Sequence, residues 1–350
     1  MKKVLYVSNI EVPYRSEFFN QLSQKVDLTV LYERKKSANR DENWTSSVKS
    51  NYKIEYLKGL KIKNEYAFNL KILKYLFSKN YEKIVIGCFN SPSQMLAILL
   101  MKLFNKKYIL NLDGEYFLEG NSLKQKIKRF FVKGADEYLI AGEKAGEKLA
   151  KYVPKEKIHP YYFSSLTEKE IEENAKHINQ NINNKVLVVG QFFGYKGLDL
   201  ALECAKLDST IQYKFIGSGK RSSLLKNKVE KMKLSNVEIV PFLKKEELYK
   251  EYQECFCLLL PSRKECWGLV VNEAASFGCP IVATNGCGAA LEFVDKENLV
   301  NSNNILDLYH KVKNSINKDK NDYFKIDLIK RSQKFSIEKS VAKTMEILSK

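Results

Sequence analysis

The sequence contains few of the residues that bind metal ions or carry protons in active sites. It has three histidines, no Asp-x-Asp pair, and no group of His, Cys or Asp residues at metal-ligand spacing. His159, His177 and His310 fall beside a proline, at the end of a polar helix and in a peripheral helix, so structural or solvent-exposed roles are expected for them. The sequence therefore predicts no metal ion and no other cofactor.

Cysteine pairs and long apolar runs are also missing. The seven cysteines are scattered and form no Cys-x-x-Cys pair, which indicates a reducing compartment. The longest apolar run, residues 95–101, is far shorter than the roughly 20 residues that a membrane-spanning helix needs. The first residues, MKKVLYVSN, indicate a β-strand and not a signal peptide. We therefore expect a cytoplasmic protein, with peripheral contact at the inner face of the plasma membrane left open.

Negative charge is scarce in the first half of the chain. The formal net charge is +18, and residues 1–165 contribute +13 of it, from 30 Lys and Arg against 17 Asp and Glu. Such a surplus favours an anionic partner, either lipid headgroups or nucleic acid, whereas the alternative is a lysine-rich composition without functional meaning. No RNA-binding module or basic, aromatic-rich signature is present, so nucleic acid is not expected as a partner.

Apolar patterns of strand length and helix length alternate along most of the chain. This alternation predicts an α/β fold with two doubly wound parallel sheets. The first series includes a helix at 66–78, and the second series begins at residue 185. Residues 157–166 (KIHPYYFSSL) interrupt the alternation and place a domain boundary after residue 165. Two helices, at 305–316 and 337–348, are predicted to close the chain.

One stretch, residues 258–294, is the most informative part of the second half. Its apolar run ends in Pro261-Ser262, a charged loop follows, and a helical pattern begins at Trp267-Gly268. In open α/β sheets the carboxyl ends of the strands face the ligand crevice, and a helix N-terminus offers N–H groups to an anion. The loop therefore predicts a phosphate-binding site. The alternative is an ordinary buried βαβ unit.

Two carboxylates frame this loop: Glu265 within it, and Glu273 eight residues later, in about the third turn of the predicted helix. With the Pro-Ser before it, and Gly278-x-Pro280 and Glu292 after it, this spacing resembles the Glu-x7-Glu signature of the retaining glycosyltransferases of family 4. The resemblance implies that Glu265 positions or stabilises the transferred sugar. It implies that Glu273 holds the ribose hydroxyls of a nucleotide.

The same resemblance implies the GT-B fold, in which two Rossmann-like domains face a central cleft. We expect an acceptor-binding domain at 1–165 and a nucleotide-sugar-binding domain at 166–335. A C-terminal helix at 336–350 is expected to return to the first domain.

A glycine-bearing turn, GQFFGYKG, follows the first strand of the second half. Glycine lets the backbone approach a phosphate, and Lys196 would supply a positive charge for a leaving diphosphate; a solvated surface lysine is the alternative. From Gly190 to Gly197 the turn resembles the Gly-Arg-x4-Lys-Gly segment of family 4, but Gln191 stands where an arginine is usual. The candidates to replace that arginine are Lys220, Arg263 and Lys264.

Further residues complete the predicted donor site. Gly217-Ser-Gly219 follows a strand and opens a helix, so it is either a close-approach turn beside the nucleotide or an ordinary turn. The resemblance implies that the backbone after the next strand contacts the nucleobase, and that the start of the helix after Glu265 contacts the donor. The residues concerned are Pro241, Phe242 and Leu243 for the base, and Ser262, Arg263, Trp267, Gly268, Leu269 and Val270 for the donor.

The first half offers one catalytic candidate. Family 4 often has a histidine after the fourth or fifth strand, but the matching segment here is NLDGE, residues 111–115. Asp113 is therefore the best polar candidate for the acceptor side of the cleft. A turn-stabilising Asp-Gly pair is an equal alternative.

Other segments of the chain resemble bacterial transferases that build capsule or exopolysaccharide repeats on a polyprenyl-diphosphate carrier. These segments are Pro13-Tyr14-Arg15, Arg40-Asp41 with Trp44, and residues 157–166. The resemblance implies metal-independent transfer of a hexose from a nucleotide-diphosphate sugar, such as a UDP-sugar, to a lipid-linked saccharide. The alternatives are another GT-B enzyme, such as an epimerase or a phosphorylase, and a non-enzymatic binder of nucleic acid. An epimerase needs acid and base residues that the poor histidine supply does not favour.

Residues 122–133 (SLKQKIKRFFVK) form a basic helical pattern. An apolar stripe runs along it, and the charged residues largely surround the stripe. Such a helix suits either the interface of an anionic membrane or the inner face of a doubly wound sheet. The stripe consists of Leu123, Ile127, Phe130 and Phe131, and the charged residues are Lys124, Lys126, Lys128, Arg129 and Lys133.

Overall fold

A computed structural model of the chain describes residues 1–35, 49–57, 60–62, 66–78, 80–114, 118–180, 183–301, 303–319 and 322–350. The chain divides into two compact units. The first consists of Met1–Phe163 together with Ile337–Lys350, and the second of Ser164–Ser336. The predicted residues Arg40, Asp41 and Trp44, and the last residue of the NLDGE segment, lie outside the described residues.

The described part of the first unit is built on a parallel sheet in the strand order β3-β2-β1-β6-β7-β8-β9. Its strands are β1 (Lys3–Ile10), β2 (Asp27–Arg34), β3 (Lys53–Tyr56), β6 (Lys83–Ile86), β7 (Ile109–Leu112), β8 (Glu137–Ala141) and β9 (Ile158–Tyr161), and a separate antiparallel pair is formed by β4 (Leu60–Ile62) and β5 (Tyr66–Phe68). Its helices are α1 (Pro13–Ser23), α2 (Ile72–Leu76), α3 (Pro92–Leu103), α4 (Leu123–Val132), α5 (Glu143–Leu149) and the C-terminal α14 (Ile337–Ser349).

The described part of the second unit has a parallel sheet in the order β12-β11-β10-β13-β14-β15. Its strands are β10 (Lys185–Val189), β11 (Gln212–Ile216), β12 (Val237–Val240), β13 (Cys257–Leu260), β14 (Ile281–Thr284) and β15 (Leu299–Val300). Its helices are α6 (Glu168–Ala175), α7 (Leu198–Leu207), α8 (Ser222–Met232), α9 (Lys245–Glu254), α10 (Leu269–Ser276), α11 (Ala290–Phe293), α12 (Ile305–Asp319) and α13 (Asp322–Gln333).

Burial explains why the central strands have no polar face. All four residues of β13 and all four of β14 are buried, as are the central residues of β1 and β10. Strands covered by helices on both sides must be apolar on both sides, which is typical of parallel sheets. The predicted α/β class with two parallel sheets is confirmed.

Three local predictions were wrong. The helix expected at 66–78 is instead strand β5 followed by the short helix α2, because residues 66–68 pair with β4. The segment expected to interrupt the first sheet contains β9, and its Pro160 is tolerated because β9 is an edge strand that needs few ladder hydrogen bonds. Helix α13 lies between the two predicted closing helices, and its charged sequence hid its periodicity.

The C-terminal helix α14 packs within the first unit. Gln21 of α1 donates a side-chain hydrogen bond of 3.2 Å to Glu338, and Lys2 donates one of 3.1 Å to the carbonyl of Leu348. The last helix of the chain therefore joins the N-terminal sheet in sequence-distant contacts, while α6 to α13 form the second unit.

Candidate active site

The candidate site lies at the carboxyl ends of the strands in the second unit. Strand β10 has β11 on one side and β13 on the other, so the chain reverses its direction of winding at β10. In open α/β sheets this switch point opens a crevice at the carboxyl ends. Four loops meet there, at 190–197, 217–221, 261–268 and 285–288, after β10, β11, β13 and β14 respectively.

The loops after β10 and β11 are locked together by backbone contacts. Phe192 accepts a hydrogen bond of 3.2 Å from the Arg221 amide and donates one of 2.9 Å to the carbonyl of Ser218. Gly217 has a φ of +147°, and a Cβ at this position would lie 2.0 Å from the carbonyl oxygen of Gly190. Glycine is therefore required at Gly217 for close packing of the two loops, whether or not it also contacts a ligand.

The loops after β10, β13 and β14 are locked in the same way. The Arg263 amide donates 2.8 Å to the carbonyl of Tyr195, and a Cβ at Gly197 would lie 1.9 Å from the carbonyl oxygen of Pro261. The Glu265 amide donates 2.7 Å to the carbonyl of Gly286. The backbone of each loop is thus fixed by its neighbours, and this fixes the Cα positions from which the side chains extend.

This packing brings Lys196 and Glu265 together. The Lys196 ammonium donates a hydrogen bond to the Glu265 carboxylate, and the two side chains are only 15% and 16% exposed. Burial acts to lower the pKa of Lys196, but the attraction of Glu265 outweighs it, and the pKa is raised above its usual value. The two residues predicted to act on different parts of a donor therefore form one buried ion pair.

Glu273 lies in the second turn of α10, not the third, because the helix begins at Leu269 rather than at Trp267. Its carboxylate accepts hydrogen bonds of 3.1 Å from the Ser165 hydroxyl and 3.2 Å from the Tyr252 hydroxyl. Burial raises the pKa of Glu273, although the two hydroxyls oppose this rise. Among the described residues Glu273 has no ion-pair partner, and two neutral hydroxyl groups hold its carboxyl in place.

The proposed replacements for the missing arginine differ in their surroundings. Arg263 forms a two-pronged ion pair with Asp199, at 2.8 and 2.7 Å, and its Nε donates 2.9 Å to the Asn303 side chain. Its guanidinium is therefore already engaged. Lys220 and Lys264 are both exposed to solvent.

A different arginine lies against the loop after β10. The guanidinium of Arg221 is placed so that a Cβ at Gly194 would lie 2.6 Å from its Cζ. The sequence analysis named the adjacent Lys220 instead. Both residues lie between Gly219 and α8, so the sequence does not distinguish them. The sequence signal was present, but only the packing of the two loops shows which of the adjacent cations reaches the loop that carries Lys196.

The other predicted donor residues fall into two groups. Trp267 is buried, donates 2.9 Å to the Asn272 side chain, and packs its ring against Phe335, so its side chain has a structural role. Gly268 has a φ of +102° and sits directly before α10. The remaining residues line the loop ends: Ser262 is buried, Pro241 is exposed, and Phe242, Leu243, Leu269 and Val270 are half-buried.

The first unit contains a buried polar cluster at the carboxyl ends of β1 and β7. Arg15 forms an ion pair with Asp113, and Tyr161 donates a hydrogen bond of 2.9 Å to the same carboxylate. Asn111 also donates to Asp113, at 2.8 Å, and accepts 2.5 Å from the Tyr6 hydroxyl. Asp113 is therefore part of a charge-paired cluster rather than a simple Asp-Gly turn.

Aromatic rings cover this cluster. The Arg15 guanidinium lies 5.4 Å from the Phe18 ring centroid and 5.0 Å from that of Phe163, and the Tyr14 ring meets Phe163 edge-on at 5.7 Å. Pro13 occupies the first turn of α1, where its missing N–H costs nothing. The structure thus places Arg15 beside Asp113 and Tyr14 on the ring that covers Arg15.

Helix α4 exposes most of its apolar stripe. Leu123 is 73% exposed, Ile127 45% and Phe130 53%, whereas Phe131 is buried. These three exposed residues are spaced four and three positions apart and so lie on one face. The alternative that the stripe packs inward applies to Phe131 alone.

The basic residues of α4 also differ from one another. Lys124 and Lys126 are exposed, and Lys128 is half-buried. Arg129 instead donates hydrogen bonds of 2.7 and 2.6 Å to the carbonyls of Leu118 and Gly120. Its guanidinium therefore holds the preceding loop and is not a free surface charge.

Among the described residues, no group of three or more His, Cys, Asp or Glu side chains is arranged to hold a metal ion. Within the same residues, no helix is long and apolar enough to cross a bilayer.

Comparison with known proteins agrees with this architecture. Residues 169–332 match the family model of the glycosyl transferases group 1. An uncharacterized glycosyltransferase of Methanocaldococcus jannaschii is 28% identical over 202 residues, which cover 53% of this chain and 57% of that protein. The O-antigen chain mannosyltransferase C of Escherichia coli is 26% identical over 156 residues, 44% of this chain and 42% of that protein. The chain spans less than two thirds of the length of either relative.

Solved structures match over the whole chain. Sucrose-phosphate synthase from Thermosynechococcus elongatus aligns with a TM-score of 0.76 and 15% identity, covering 100% of this chain and 98% of that one. The Anabaena protein HepE, solved in complex with UDP-glucose, aligns with a TM-score of 0.73 and 13% identity, covering 100% of both chains. At such low identity these matches establish the fold alone.

The fold is that of the GT-B glycosyltransferases, as predicted. The match to the glycosyl transferases group 1 model falls within the second unit, and relatives of the chain are named glycosyltransferases. These matches support the predicted enzyme class, glycosyltransferase.

Proposed function

We propose that the protein is a retaining, metal-independent glycosyltransferase of family 4. It transfers a hexose from a UDP-sugar to a saccharide carried on a polyprenyl diphosphate, in the synthesis of a capsule, exopolysaccharide or similar surface polysaccharide. The observation that carries the proposal is the Lys196–Glu265 ion pair. It joins the loops on both sides of the switch point in a glycosyltransferase group 1 domain.

The ion pair explains how the phosphates are held. An entering diphosphate offers Lys196 a stronger anionic partner than one carboxylate, and the N-terminus of α10 adds N–H groups and a partial positive charge. Lys196 then stabilises the charge that develops on the diphosphate as its bond to the sugar breaks. Glu265, released from Lys196, is free to stabilise the positive charge that develops on the sugar.

The proposed transfer retains the configuration of the sugar. The bond between the anomeric carbon and the diphosphate oxygen breaks, and the acceptor oxygen bonds to that carbon on the same face. The proton of the acceptor hydroxyl passes to an oxygen of the leaving diphosphate, so no protein base is required. Retention of configuration therefore suits a site that is poor in histidine.

We assign the nucleoside to Glu273 on α10 and to the backbone that follows β12. Glu273 already accepts hydrogen bonds from two hydroxyl groups, so its carboxylate suits ribose hydroxyls as well. The backbone at Pro241, Phe242 and Leu243 follows β12 and offers donors and acceptors to a base. The complex of HepE with UDP-glucose supports a uridine donor.

The acceptor side is assigned to the first unit. The Arg15–Asp113 cluster lies at the carboxyl ends of β1 and β7, which is the ligand side of a parallel sheet. Asp113 is 30% exposed, so it is accessible to an acceptor hydroxyl, while Arg15 holds it from within. The relative named for O-antigen chains supports a polysaccharide acceptor.

Membrane docking completes the proposal. The face of α4 formed by Leu123, Ile127 and Phe130 is exposed, and Lys124 and Lys126 are exposed beside it. On α3, Leu99 and Leu103 are 41% and 75% exposed, and Lys102 between them contacts the Phe130 ring at 4.3 Å. We call these five apolar residues and their lysines the α3–α4 face. Apolar side chains ringed by lysines suit the inner leaflet of the plasma membrane, where the lipid-linked acceptor is held.

The experiment that tests the function begins with donor binding. UDP, GDP, ADP and TDP, and their sugar conjugates, are compared by thermal unfolding, since a ligand present at about 100 times its Kd adds about 2.7 kcal/mol to stability. The best donor is then incubated with a polyprenyl-diphosphate saccharide in EDTA. We expect transfer with retained anomeric configuration, read by NMR of the product. Inversion, or activity that requires added Mg²⁺, would refute the proposed chemistry.

A further inference from the structure

A diphosphate carries more negative charge than Lys196 alone can neutralise, particularly while Lys196 is paired with Glu265. The resemblance to family 4 predicts a second cation, an arginine, at position 191, but this position carries the neutral Gln191. Arg263 is held by Asp199 through two hydrogen bonds of 2.8 and 2.7 Å. A second cation must therefore come from elsewhere near the loop after β10.

We propose that Arg221 is this second cation and that it binds the diphosphate of the donor together with Lys196. The inference rests on the proposed function, since it assigns a ligand to the same site. Arg221 is not a member of the predicted set of site residues. It is assigned from its position against the loop after β10.

Backbone contacts fix the position of the Arg221 main chain. Its amide donates 3.2 Å to the carbonyl of Phe192, so the chain at Arg221 is tied to the loop that carries Lys196. Gly219, two residues earlier, has a φ of +157°, and a Cβ there would lie 2.9 Å from the amide nitrogen of Phe192. The two loops touch along this line, and a larger residue at Gly219 would separate them.

The side chain then lies flat against Gly194. A Cβ at Gly194 would lie 2.6, 2.7 and 2.8 Å from the Cζ, Nη1 and Nη2 atoms of Arg221. All three atoms of the guanidinium plane are thus near the same point, two residues from Lys196. The absence of a side chain at Gly194 is what allows this approach.

Arg221 is also available to an anion. It is exposed to solvent, and among the residues that the structure describes its guanidinium has no carboxylate partner. A planar guanidinium offers two parallel N–H groups that match two phosphate oxygens. Arg221 is therefore free to make the first contact with an entering diphosphate, before Lys196 exchanges Glu265 for phosphate.

Nucleotide titration of the Arg221→Ala variant tests the assignment. The probes are the nucleoside diphosphate that the wild type binds best among UDP, GDP, ADP and TDP, followed by calorimetry, and the matching nucleoside, followed by ligand-observed NMR. Loss of a charge-assisted, two-pronged contact should weaken diphosphate binding about ten- to a hundredfold. Nucleoside binding should change less than about twofold, since the nucleoside carries no phosphate.

Gly194→Ala is a second test, because it should displace the Arg221 guanidinium without removing a charge. The φ of Gly194 lies outside the left-handed region, so the backbone accepts alanine, but the new Cβ must push the guanidinium away. We expect Gly194→Ala to weaken diphosphate binding like Arg221→Ala, and the double variant to be no weaker than Arg221→Ala alone. Additive losses in the double variant would contradict a shared cause.

Lys226→Ala is the matched control, since Lys226 is an exposed cation on α8, the helix that Arg221 precedes. It should leave the affinity within about twofold, because a solvent-exposed charge that makes no direct contact with the phosphates is largely screened by salt. Unchanged diphosphate affinity in Arg221→Ala, or a loss in Lys220→Ala without one in Arg221→Ala, would overturn the inference. So would an equal loss of nucleoside binding, which would mean that Arg221 does not act on phosphate. If the wild type binds none of the four diphosphates, the proposed function itself fails and the inference falls with it.

Discussion

Lys196 donates a hydrogen bond to Glu265 across 69 positions of sequence, and both side chains are largely buried. Under the proposed function, the pair is the resting state of two groups that an entering donor separates. Two opposite charges cost less to bury as a pair than singly, so each partner offsets part of the cost of burying the other. Under the same proposal, the phosphate of the donor competes with the Glu265 carboxylate for the Lys196 ammonium group.

The first prediction concerns that competition. Glu265→Gln should lower turnover by about a hundredfold or more, because the sugar loses the charge that stabilises its transition state. UDP affinity, measured by calorimetry, should stay the same or improve by up to about tenfold, since Lys196 no longer has a competing anion. Glu246→Gln, an exposed carboxylate on α9, is the control and should change neither quantity. Near-normal turnover in Glu265→Gln would remove Glu265 from the chemistry.

The second prediction separates the nucleoside from the phosphates. Glu273→Ala should weaken uridine and UDP by the same factor, roughly tenfold, because the lost contact is to the ribose that both ligands contain. Tyr252→Phe removes only the hydroxyl that donates to Glu273, and it should weaken both ligands by less. Ligand-observed NMR for uridine and calorimetry for UDP provide the comparison. Unchanged uridine affinity in Glu273→Ala would refute the ribose assignment.

The third prediction concerns Glu33, a buried carboxyl at the end of β2. Burial raises its pKa to about 7, although the Ser91 hydroxyl donates 2.5 Å to it and opposes the rise. The folded state therefore favours the protonated form. Its stabilising contribution is complete below pH about 4.5 and is lost as the pH rises to about 7.

Glu33→Gln should remove this pH dependence, because glutamine cannot ionise. At pH 8 the variant should be more stable than the wild type by on the order of 2 kcal/mol, and near pH 4.5 the two should be about equal. Urea unfolding at the two pH values measures the difference. Glu147→Gln, an exposed carboxyl on α5, should show no such change between them. An equal shift in both variants would count against Glu33 as the titrating group.

The fourth prediction tests the α3–α4 face on liposomes. The wild type should sediment with vesicles that contain anionic lipid and be released by salt, because the attraction is electrostatic. Lys124→Glu with Lys126→Glu should weaken sedimentation at least tenfold, at roughly 1 kcal/mol for each lysine removed. Phe130→Ser should also weaken it, by removing a ring that enters the acyl boundary.

The control for the membrane experiment has the same change in charge elsewhere. Lys226→Glu with Lys231→Glu alters two exposed lysines of α8 in the second unit. It should sediment like the wild type. If both double variants lose binding equally, the protein is attracted through its net charge and the α3–α4 face is not a docking surface.

Local sequence patterns were sufficient for much of the fold. The second series begins at residue 185 as predicted, and the helices predicted at 305–316 and 337–348 are observed as Ile305–Asp319 and Ile337–Ser349, because apolar periodicity and turn residues are properties of adjacent positions. Strand β9 escaped prediction because its pairing with β8 depends on residues about 20 positions away. Helix α13 was not predicted, because its charged residues obscure the apolar periodicity by which a helix is recognised in a sequence.

The sequence alone determined that this chain alternates strands and helices in two series and that Lys196, Glu265 and Glu273 follow strand ends in the second. Those are consequences of spacing along one chain. Only the tertiary structure decided which charges meet: Lys196 with Glu265, Arg15 with Asp113, and Arg263 with Asp199. The physical reason is that parallel strands bring the loops of distant segments to one edge, and backbone contacts between those loops aim each side chain. The choice of partner is therefore set by packing, which no local pattern contains.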